Sequence, residues 1–277
     1  MGFRINTNMS SLQAQTPMKK VARETEESFA KLSSGERITK AADDAAGLAI
    51  SEKLKAEIRS SRQANRNAND GISLVQTAEG GLNETSSLLT RMRELSMQAA
   101  SDTLSDSDRE KSSFEYINIK HELERIAQST EFNGRKLLNG KGPKLDFQVG
   151  VGSHSSDDII SYNSGNLNAG IDSLGVSNVS INSKFNAQES LSSIDSAINK
   201  VSAQRSTIGS IQNRLNTSSN NLQIYSENMS AANSRIRDVD YAVETSKQAR
   251  NSILSNANTA VLAQANMSGQ GALKLIS

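Results

Sequence analysis

The feature that most constrains the fold is a run of residues in the C-terminal third that recurs at alternating steps of three and four. This spacing places side chains along one stripe of an α-helix and is typical of a helix that pairs with another helix. No proline follows Pro143, so a helix over residues 186–235 is expected, about 75 Å long at about 1.5 Å per residue. The stripe consists of Leu191, Ile194, Ile198, Val201, Arg205, Ile208, Ile211, Leu215, Ser218, Leu222, Tyr225, Met229, Ala232, Ile236, Val239 and Val243.

Two similar stripes in the N-terminal half predict a second and a third amphipathic helix. Between them, SDTLSDSDRE contains the Ser and Asp residues that favour a helix start. Because each stripe is narrow, antiparallel packing of the three helices is the arrangement that buries them best. The second stripe consists of Ile58, Ile72, Val75, Ala78, Leu82, Thr85, Leu89, Met92, Leu95 and Ala99, and the third of Tyr116, Ile119, Leu123 and Ile126.

Glycine and proline refine this prediction. Gly80 and Gly81 lie inside the second helix, where glycine is unfavourable, and therefore indicate a close backbone approach or a flexing point. Pro17 after Thr16 predicts a helix start, since proline suits the first turn of a helix better than its interior. Past the long stripe, an Ala-rich helical stripe continues through Ile253, Ala257, Ala260 and Val261.

The composition favours paired helices over a thick globular core. Hydrophobic residues make up 35% of the chain and aromatic residues 4%, with no Trp, which is below the apolar share of ordinary globular domains. A seam between helices needs fewer apolar residues than a globular interior does. The chain has 31 Lys and Arg against 30 Asp and Glu. This balance gives no attraction to nucleic acid or to an acidic membrane, and we expect neither as a partner.

Between the helical regions the apolar spacing changes to an alternation. A period of two, typical of a half-buried strand, links Leu145, Phe147, Val149 and Val151. Residues 159–162 suit a returning strand, and the Gly-, Asn- and Ser-rich residues 163–185 are expected to form surface loop and marginal strand. The predicted fold class is mainly α: a long antiparallel helical bundle or coiled coil formed by the N- and C-terminal halves, with a small β-hairpin region.

Residues able to catalyse a reaction or bind a metal are sparse. The chain has no Cys, and its two histidines, His121 and His154, belong to different predicted elements. It contains no Asp-rich calcium loop, P-loop, GxGxxG or GxSxG motif. We therefore predict that the protein is not an enzyme and has no catalytic residue, cofactor or metal site.

The adjacent carboxylates Asp43 and Asp44 lie in the run SSGERITKAADDAAGLAI, residues 33–50. Consecutive residues of a helix point about 100° apart, so they would not act together on one substrate atom. A charged first turn is the simpler interpretation, because the helix dipole favours carboxylates there. The Ala and Gly residues around the pair permit close approach of another segment. The run is therefore interpreted as a packing surface.

Seven stretches of the chain form a recognisable set. In order they are INTNMSSL, LSSGERITKAADDAAGLAISEKL, SRQANRNANDGISLVQTAEGGLNE, RMRELSMQAAS, EFNGRKLLNG, FQVG and SRIRDVDYAVETSKQARNSILSNANTAVLAQAN. The set resembles bacterial flagellin, the subunit of the flagellar filament, and SGERI with DDAAGLAI and NANDGISLVQTAEG are its most specific parts. Only residues 141–185 separate the matching ends, which implies a compact flagellin without large outer variable domains.

The resemblance implies three domains. Residues 1–45 with 236–277 would form a terminal coiled-coil assembly domain, disordered in the monomer, and residues 46–140 with 186–235 a helical rod domain. Residues 141–185 would form a β-hairpin and short variable loop region. The weakly apolar, Ala- and Ser-rich ends suit a domain that folds on assembly, because they bury too little surface to fold alone.

The implied function is structural: a subunit that polymerises into the bacterial flagellar filament for swimming motility. The resemblance implies export by the flagellar type III apparatus, which the lack of a signal-peptide pattern suits, and a location outside the cell in the flagellum. The implied partners are copies of itself, other flagellins, the filament cap, the hook–filament junction protein, a cytoplasmic export chaperone and the innate receptor TLR5.

Three groups of residues are carried over from the resemblance. The joint between the terminal and rod domains includes Arg37, Asp43, Asp44 and Gly47. Filament contact and TLR5 recognition fall on Arg91, Arg93, Glu94, Leu95 and Glu115. Chaperone binding and terminal assembly fall on Leu262, Leu273, Leu275 and Ile276.

Two alternatives remain open from the sequence. A hook–filament junction protein shares the terminal assembly helices but usually diverges from NANDGISLVQTAEG. A soluble signalling coiled coil belongs to a different class and would form stable monomers or small oligomers, whereas a flagellin polymerises into filaments that sediment.

Overall fold

The computed structural model describes residues 8–274 except 153, 155 and 156. Its helices are α1 (Met9–Ser34), α2 (Ala45–Ala99), α3 (Asp106–Ser129), α4 (Ile171–Leu174), α5 (Lys184–Arg237) and α6 (Tyr241–Lys274). Between α3 and α4, β1 (Glu131–Phe132) pairs antiparallel with β2 (Arg135–Lys136), and β3 (Lys144–Gln148) pairs antiparallel with β4 (Ile159–Asn163). The predicted mainly α class, with its small β-hairpin region, is confirmed.

The chain divides into two compact units. The terminal unit lies within residues 1–58 and 228–277, and the central unit comprises residues 59–227. The two longest helices, α2 and α5, contribute residues to both units. The three-domain division implied by the resemblance stays a prediction about the assembled protein.

In the terminal unit, α1 and α6 pair antiparallel. The Asn8 side-chain amide donates to the Ala265 carbonyl at 2.9 Å, and the Ser28 hydroxyl donates to the Glu244 carboxylate at 2.5 Å. Asn8 is also the N-cap of α1, because its side-chain oxygen accepts the backbone N–H of Ser11. At the other end, Gly35 takes a left-handed φ of 71° and its N–H closes the last turn.

The prediction that a helix starts at Pro17 is wrong. Pro17 lies inside α1, eight residues after its first residue, Met9. The proline is exposed, and so is Gln13, whose carbonyl would have accepted the missing N–H. Water can therefore reach this carbonyl, which limits the cost of an interior proline.

In the central unit, α2 packs antiparallel to both α3 and α5. The Ser61 hydroxyl of α2 donates to the Leu222 carbonyl of α5, and the Asn65 amide donates to Ser219, each at 2.9 Å. The stripes predicted for the second and third helices are buried, except that Ile72 is half-buried. The predicted start of α3 is also confirmed, since the Ser105 hydroxyl accepts the Asp108 N–H.

The long C-terminal stripe is buried through its middle and not at its end. Ile194, Val201, Ile208 and Leu215 are fully buried, but Leu191 and Ile198 are half-buried beside small residues that take the innermost positions. Beyond the end of α5, Val243 is 63% exposed. The residues of the Ala-rich continuation are all exposed as well: Ile253, Ala257, Ala260 and Val261.

The segment between the helices contributes to the central core. The predicted hairpin is confirmed, with Leu145 opposite Tyr162 and Phe147 opposite Ile160. Residues 163–185 are not the expected surface loop with marginal strand. They contain a 3-10 turn (Ser164–Asn166) and the short helix α4. Five of their apolar residues are buried: Leu167, Ala169, Leu174, Val176 and Ile181.

The β1–β2 hairpin was not predicted from the sequence. Its turn residues, Asn133 and Gly134, both have positive φ, of 50° and 75°, and Asn-Gly between two short extended segments is a strong hairpin signal. After β2, Leu138 packs close to Gly81, where an added Cβ would lie 2.6 Å from the Leu138 side chain. The close backbone approach predicted for the glycine pair is therefore present at Gly81, whereas Gly80 faces open space.

Candidate functional site

The predicted joint is a short antiparallel bridge between the segments that follow α1 and α5. Glu36 pairs with Asp238, and the Arg37 N–H donates to the Arg237 carbonyl at 2.6 Å. Glu36 and Arg37 lie about 200 positions before Arg237 and Asp238 in the chain. The bridge therefore closes a very long loop. The bridge ties the two ends of the chain together within the terminal unit.

Two arginines reinforce the bridge. The Arg37 guanidinium donates to the Ile236 carbonyl at 2.7 Å. The Arg237 guanidinium donates to the carboxylates of Glu52 and Glu36, and these hydrogen bonds, first that of Glu52, raise the pKa of Arg237. Arg237, Glu36 and Glu52 were not predicted as joint residues. Helical periodicity places Arg237 on the surface, so the one sequence signal for its role was its position in the motif SRIRDVD.

Asp43 organises the turn before α2. Its carboxylate accepts the backbone N–H of Thr39 at 3.0 Å and of Lys40 at 3.1 Å, together with the Thr39 hydroxyl at 3.0 Å. These backbone hydrogen bonds, with that of Thr39 the largest cause, lower the pKa of Asp43. The charged form of Asp43 is thus the one that holds the turn.

Asp44 caps α2, because its carboxylate accepts the Gly47 N–H at 2.8 Å. A Cβ on Gly47 would lie 2.4 Å from the Asp44 carboxylate and 2.9 Å from the side chain of Ile38, which is 2% exposed. The small residue at position 47 therefore permits both the cap and the packing of Ile38. Asp43 and Asp44 both precede the helix, so the expectation that they lie within its first turn is corrected.

A second candidate surface, in the central unit, is a set of exposed ion pairs between helices. Arg91 pairs with Glu115 of α3 at 2.8 Å and with Glu94 at 3.0 Å. Arg93 pairs with Asp195 of α5 at 2.7 Å, a partner that the sequence analysis did not identify. The pKa of Arg91 is raised, chiefly by its hydrogen bond to Glu115. Charges of both signs are therefore held in place on this surface.

Leu95 does not belong to that surface. It is 2% exposed and lies in the central core, one helical turn from Arg91. Its burial anchors the helix that presents the charged residues, so its part in the surface is indirect.

The terminal pair α1–α6 has a third candidate surface, formed by apolar residues that point away from the partner helix. On α1, Met9, Leu12 and Phe29 are 51–55% exposed. On α6, the exposed fraction ranges from 41% for Leu254 to 69% for Ile253. Within the described residues, the set comprises Met9, Leu12 and Phe29 with Val243, Ile253, Leu254, Val261 and Met267. Tyr241 is also exposed, but its hydroxyl donates to the Leu32 carbonyl of α1 at 2.8 Å, so its side chain reaches the partner helix.

The seam between α1 and α6 is polar by comparison. The buried residues of α1 are Ser11, Ala14, Val21 and Ser28, and the buried residues described on α6 are Glu244 and Asn251. The hydrogen bond between Ser28 and Glu244 satisfies two of these groups. The seam of the terminal pair is therefore mixed, with polar groups beside small apolar ones, whereas most of the large apolar side chains described on the two helices are exposed.

Of the C-terminal residues predicted for chaperone binding and terminal assembly, only Leu262 has a side chain within the described part of the chain. Leu262 is half-buried on the seam face of α6. Leu273 lies within α6, but its side chain is outside the described part, and Leu275 and Ile276 lie wholly outside the described residues.

Within residues 8–274, apart from the three positions left out, no three His, Cys, Asp or Glu side chains form a group that could hold a metal ion. None of the helices described there is sufficiently long and apolar to span a membrane.

Family models match most of the chain. The model of the bacterial flagellin N-terminal helical region matches residues 5–142, and that of the C-terminal helical region matches residues 191–276. Similar proteins include a flagellin of Halalkalibacterium halodurans, 42% identical over 98% of this chain and 99% of the relative. A flagellin of Bacillus subtilis is 40% identical over 99% of this chain and 100% of the relative. These near-complete overlaps agree with the predicted compact form.

Two solved structures share the fold. The crystal structure of Bacillus cereus flagellin has a TM-score of 0.51 and 31% identity, and the match covers 61% of this chain and 94% of that chain. A putative flagellar hook-associated protein from Vibrio parahaemolyticus has a TM-score of 0.55 and covers 71% of this chain and 100% of that chain. At 17% identity, the second likeness shows the fold alone.

Proposed function

This chain belongs to the bacterial flagellin family and is a structural subunit of the flagellar filament, and from this premise we propose which of its surfaces join the subunits. The terminal pair α1–α6 supplies the main assembly contact through its outward apolar side chains. The comparisons give no support to a junction protein or to a soluble signalling coiled coil.

The observation that carries this proposal is the exposure of large apolar side chains on the terminal pair, whose seam is filled by polar and small residues. Burying a side chain such as Ile253 or Val261 contributes roughly 1.5–3 kcal/mol, and both are more than half exposed in the single chain. Neighbouring subunits that cover these side chains would recover that free energy. Repeated, non-closing contacts of this kind extend a filament.

Seeded polymerisation tests the proposal. Purified full-length protein is mixed with short sheared filaments, and the sedimented fraction and electron micrographs are recorded. We expect pelletable filaments that acid or heat dissolves. A chain that stays in the supernatant under every seeded condition would contradict both the family function and the assembly surface. Loss of assembly on polar substitution of the apolar face tests the surface alone.

We assign Arg37, Asp43, Asp44 and Gly47 to a joint that sets the path of the chain when the terminal unit is ordered. Supporting this role, Asp43 and Asp44 satisfy backbone N–H groups on both sides of the turn, and Arg37 holds the opposite segment. Loss of Asp43 or Asp44 should therefore impair filament formation without unfolding the central unit.

We assign the charged surface of Arg91, Arg93, Glu94 and Glu115 to contacts with neighbouring subunits and to recognition by TLR5. These side chains are about half exposed and are fixed by ion pairs, so little ordering would be needed on binding. A receptor-reporter assay with Arg91→Ala and Glu115→Ala tests the second role, with Lys111→Ala, an exposed charge elsewhere on α3, as control. Reporter signals equal to that of the unaltered protein would remove the TLR5 assignment.

The remaining partners follow from the family. We propose export by the flagellar type III apparatus, with a cytoplasmic chaperone holding the C-terminal segment that contains Leu262, Leu273, Leu275 and Ile276. The exported subunit would then meet the filament cap, the hook–filament junction protein and other flagellins in swimming cells. Deleting residues 262–277 tests the chaperone step, because a truncated chain that still co-purifies with the chaperone would contradict it.

A further inference from the structure

Two Asn-Gly steps lie close together in the chain, Asn133-Gly134 and Asn139-Gly140. An Asn-Gly step can modify itself, because the backbone nitrogen of glycine can attack the side-chain amide of the preceding Asn. Glycine permits this attack, since it has no side chain to shield its nitrogen and its backbone is unusually free. Both steps have the same two residues, so the surrounding structure must decide which one reacts.

The Asn133-Gly134 step is open to the reaction. Both residues are exposed and form the tip of the β1–β2 hairpin. In the described chain, neither the Asn133 side chain nor the Gly134 N–H has a hydrogen-bond partner, and a Cβ on Gly134 would meet no atom within 4 Å. Each strand is two residues long, so the tip can change its backbone angles at low cost.

The Asn139-Gly140 step is held in place. The Gly140 N–H donates to the Leu167 carbonyl at 3.0 Å, so the attacking nitrogen is occupied. The Asn139 side-chain oxygen accepts the Lys141 N–H at 3.0 Å. A Cβ on Gly140 would lie 2.5 Å from the Asn168 side chain, so the surroundings leave little room for the step to rearrange.

We propose that Asn133 is a self-modification site of this protein and that the folded structure protects Asn139. The Gly134 nitrogen, after losing its proton to solvent, forms a bond to Cγ of Asn133. The bond from Cγ to Nδ2 breaks, and the amide nitrogen leaves as ammonia after taking up a proton. The resulting succinimide ring is opened by one water molecule, giving aspartate or isoaspartate at position 133.

The product changes the hairpin tip. Either form adds a carboxylate next to Arg135 and Lys136. The isoaspartate form also routes the backbone through one extra carbon, which a two-residue turn cannot absorb without changing the pairing of β1 with β2. Directly after β2, Leu137 and Leu138 are 1% and 0% exposed. The modification would therefore loosen the segment that anchors these two core residues.

Peptide mapping of the intact, folded protein tests the proposal. The full chain is aged in mildly alkaline buffer, digested, and analysed by mass spectrometry together with enzymatic labelling of isoaspartate. We expect Asn133 to react at least about tenfold faster than Asn139, the difference made by local protection. Equal rates at the two positions, or faster reaction of Asn139, would overturn the proposal.

Two controls separate structure from local sequence. In concentrated urea, where the hairpin and its surroundings are lost, the two Asn-Gly steps should react at similar rates. A tenfold preference that persists in urea would show that the fold does not cause it and would contradict the proposal. Asn133→Gln should abolish the early product while leaving the slow reaction at Asn139 unchanged, and an unchanged early product would contradict the assignment.

Discussion

The central and terminal units both pair long antiparallel helices, but they differ in how many of their large apolar side chains are buried between those helices. In the central unit, Leu89 and Leu215 are fully buried between the helices. In the terminal pair, Ser28 and Glu244 occupy the seam, while Ile253 is 69% exposed. The central unit therefore buries most of its large apolar residues within the chain, whereas the terminal pair leaves most of its own exposed.

One subunit can therefore combine a part that is stable by itself with a part whose stability depends on neighbouring subunits. Apolar burial is the dominant favourable contribution to folding, and the central unit obtains it within a single chain. The terminal pair obtains much less, so its stability should rise with subunit concentration and with the number of neighbours.

The largest expected effect comes from placing charges on the outward face of α6. Ile253→Asp with Val261→Asp should abolish seeded filament formation, because a buried unpaired carboxylate is very unfavourable. The unfolding temperature of the central unit should not change. Ser252→Asp adds a charge at an exposed polar position of the same helix and serves as the control. If all three proteins pellet equally, the apolar face is not an assembly surface.

A large effect confined to the single chain is expected from Leu89→Ala. Truncating a fully buried leucine costs about 2–5 kcal/mol of unfolding free energy, which thermal unfolding followed by circular dichroism would detect. Leu12→Ala in α1, where the side chain is 51% exposed, should change the unfolding free energy of the single chain by less than about 0.5 kcal/mol. Similar losses for both variants would erase the contrast between the units.

A medium effect is expected at the joint. Asp44→Ala removes the cap of α2, which typically costs about 1 kcal/mol, and Asp43→Ala releases the preceding turn. Both should lower the temperature at which filaments dissociate and leave the unfolding of the central unit unchanged. In Lys40→Ala, the backbone N–H used by Asp43 remains, so this variant should behave normally. Unaltered filament yield and morphology in Asp43→Ala would count against the joint.

A smaller effect, specific to the central unit, should appear at alkaline pH. Burial raises the pKa of Tyr116 to about 12, whereas its pKa in the unfolded chain is about 10. Because the folded pKa is the higher one, this contribution to stability is present below pH ~10 and is lost as the pH rises towards ~12. Urea unfolding at increasing pH should show a steeper loss for the unaltered protein than for Tyr116→Phe. Identical slopes would refute this contribution.

The smallest effect is expected from the exposed ion pair of Arg93 and Asp195. Solvent and salt screen such pairs, so Arg93→Ala and Asp195→Ala should each change thermal unfolding only slightly, and added salt should remove the difference. A double-mutant cycle measures the coupling. Strong coupling that survives high salt would mean that this surface stabilises the central unit and is not mainly a contact surface.

Helical periodicity predicted the seams of α2, α3 and much of α5 because apolar side chains in a single-chain core must share one helix face. A period of two predicted β3, and β4 was predicted as the strand that returns beside it. The preference of proline for a first helical turn gave a wrong helix start at Pro17, which lies at an exposed position inside α1. Periodicity failed in residues 163–185, where five apolar residues reach the core without any period. The β1–β2 hairpin was not predicted, because strands of two residues are too short to show an alternation.

The candidate sites were likewise predicted in part from the sequence and completed by the structure. The resemblance placed Asp43 and Asp44 at a joint, yet only the structure identifies the backbone N–H groups that each one binds. It also adds Arg237, whose partners Glu36 and Glu52 are far away in sequence. Leu95, although it lies within the same short motif as Arg91, is removed from the exposed surface by its burial.

The sequence alone specified the helical character of the chain, the membership of each stripe and the family, because these depend on local spacing and on contiguous motifs. Tertiary structure decided which way each stripe faces. Periodicity groups Ile253, Ala257 and Val261 on one side of α6 but contains no information about where α1 lies. Contacts between residues far apart in sequence, such as the hydrogen bond between Ser28 and Glu244, hold α1 against one side of α6 and leave the side of Ile253 and Val261 exposed.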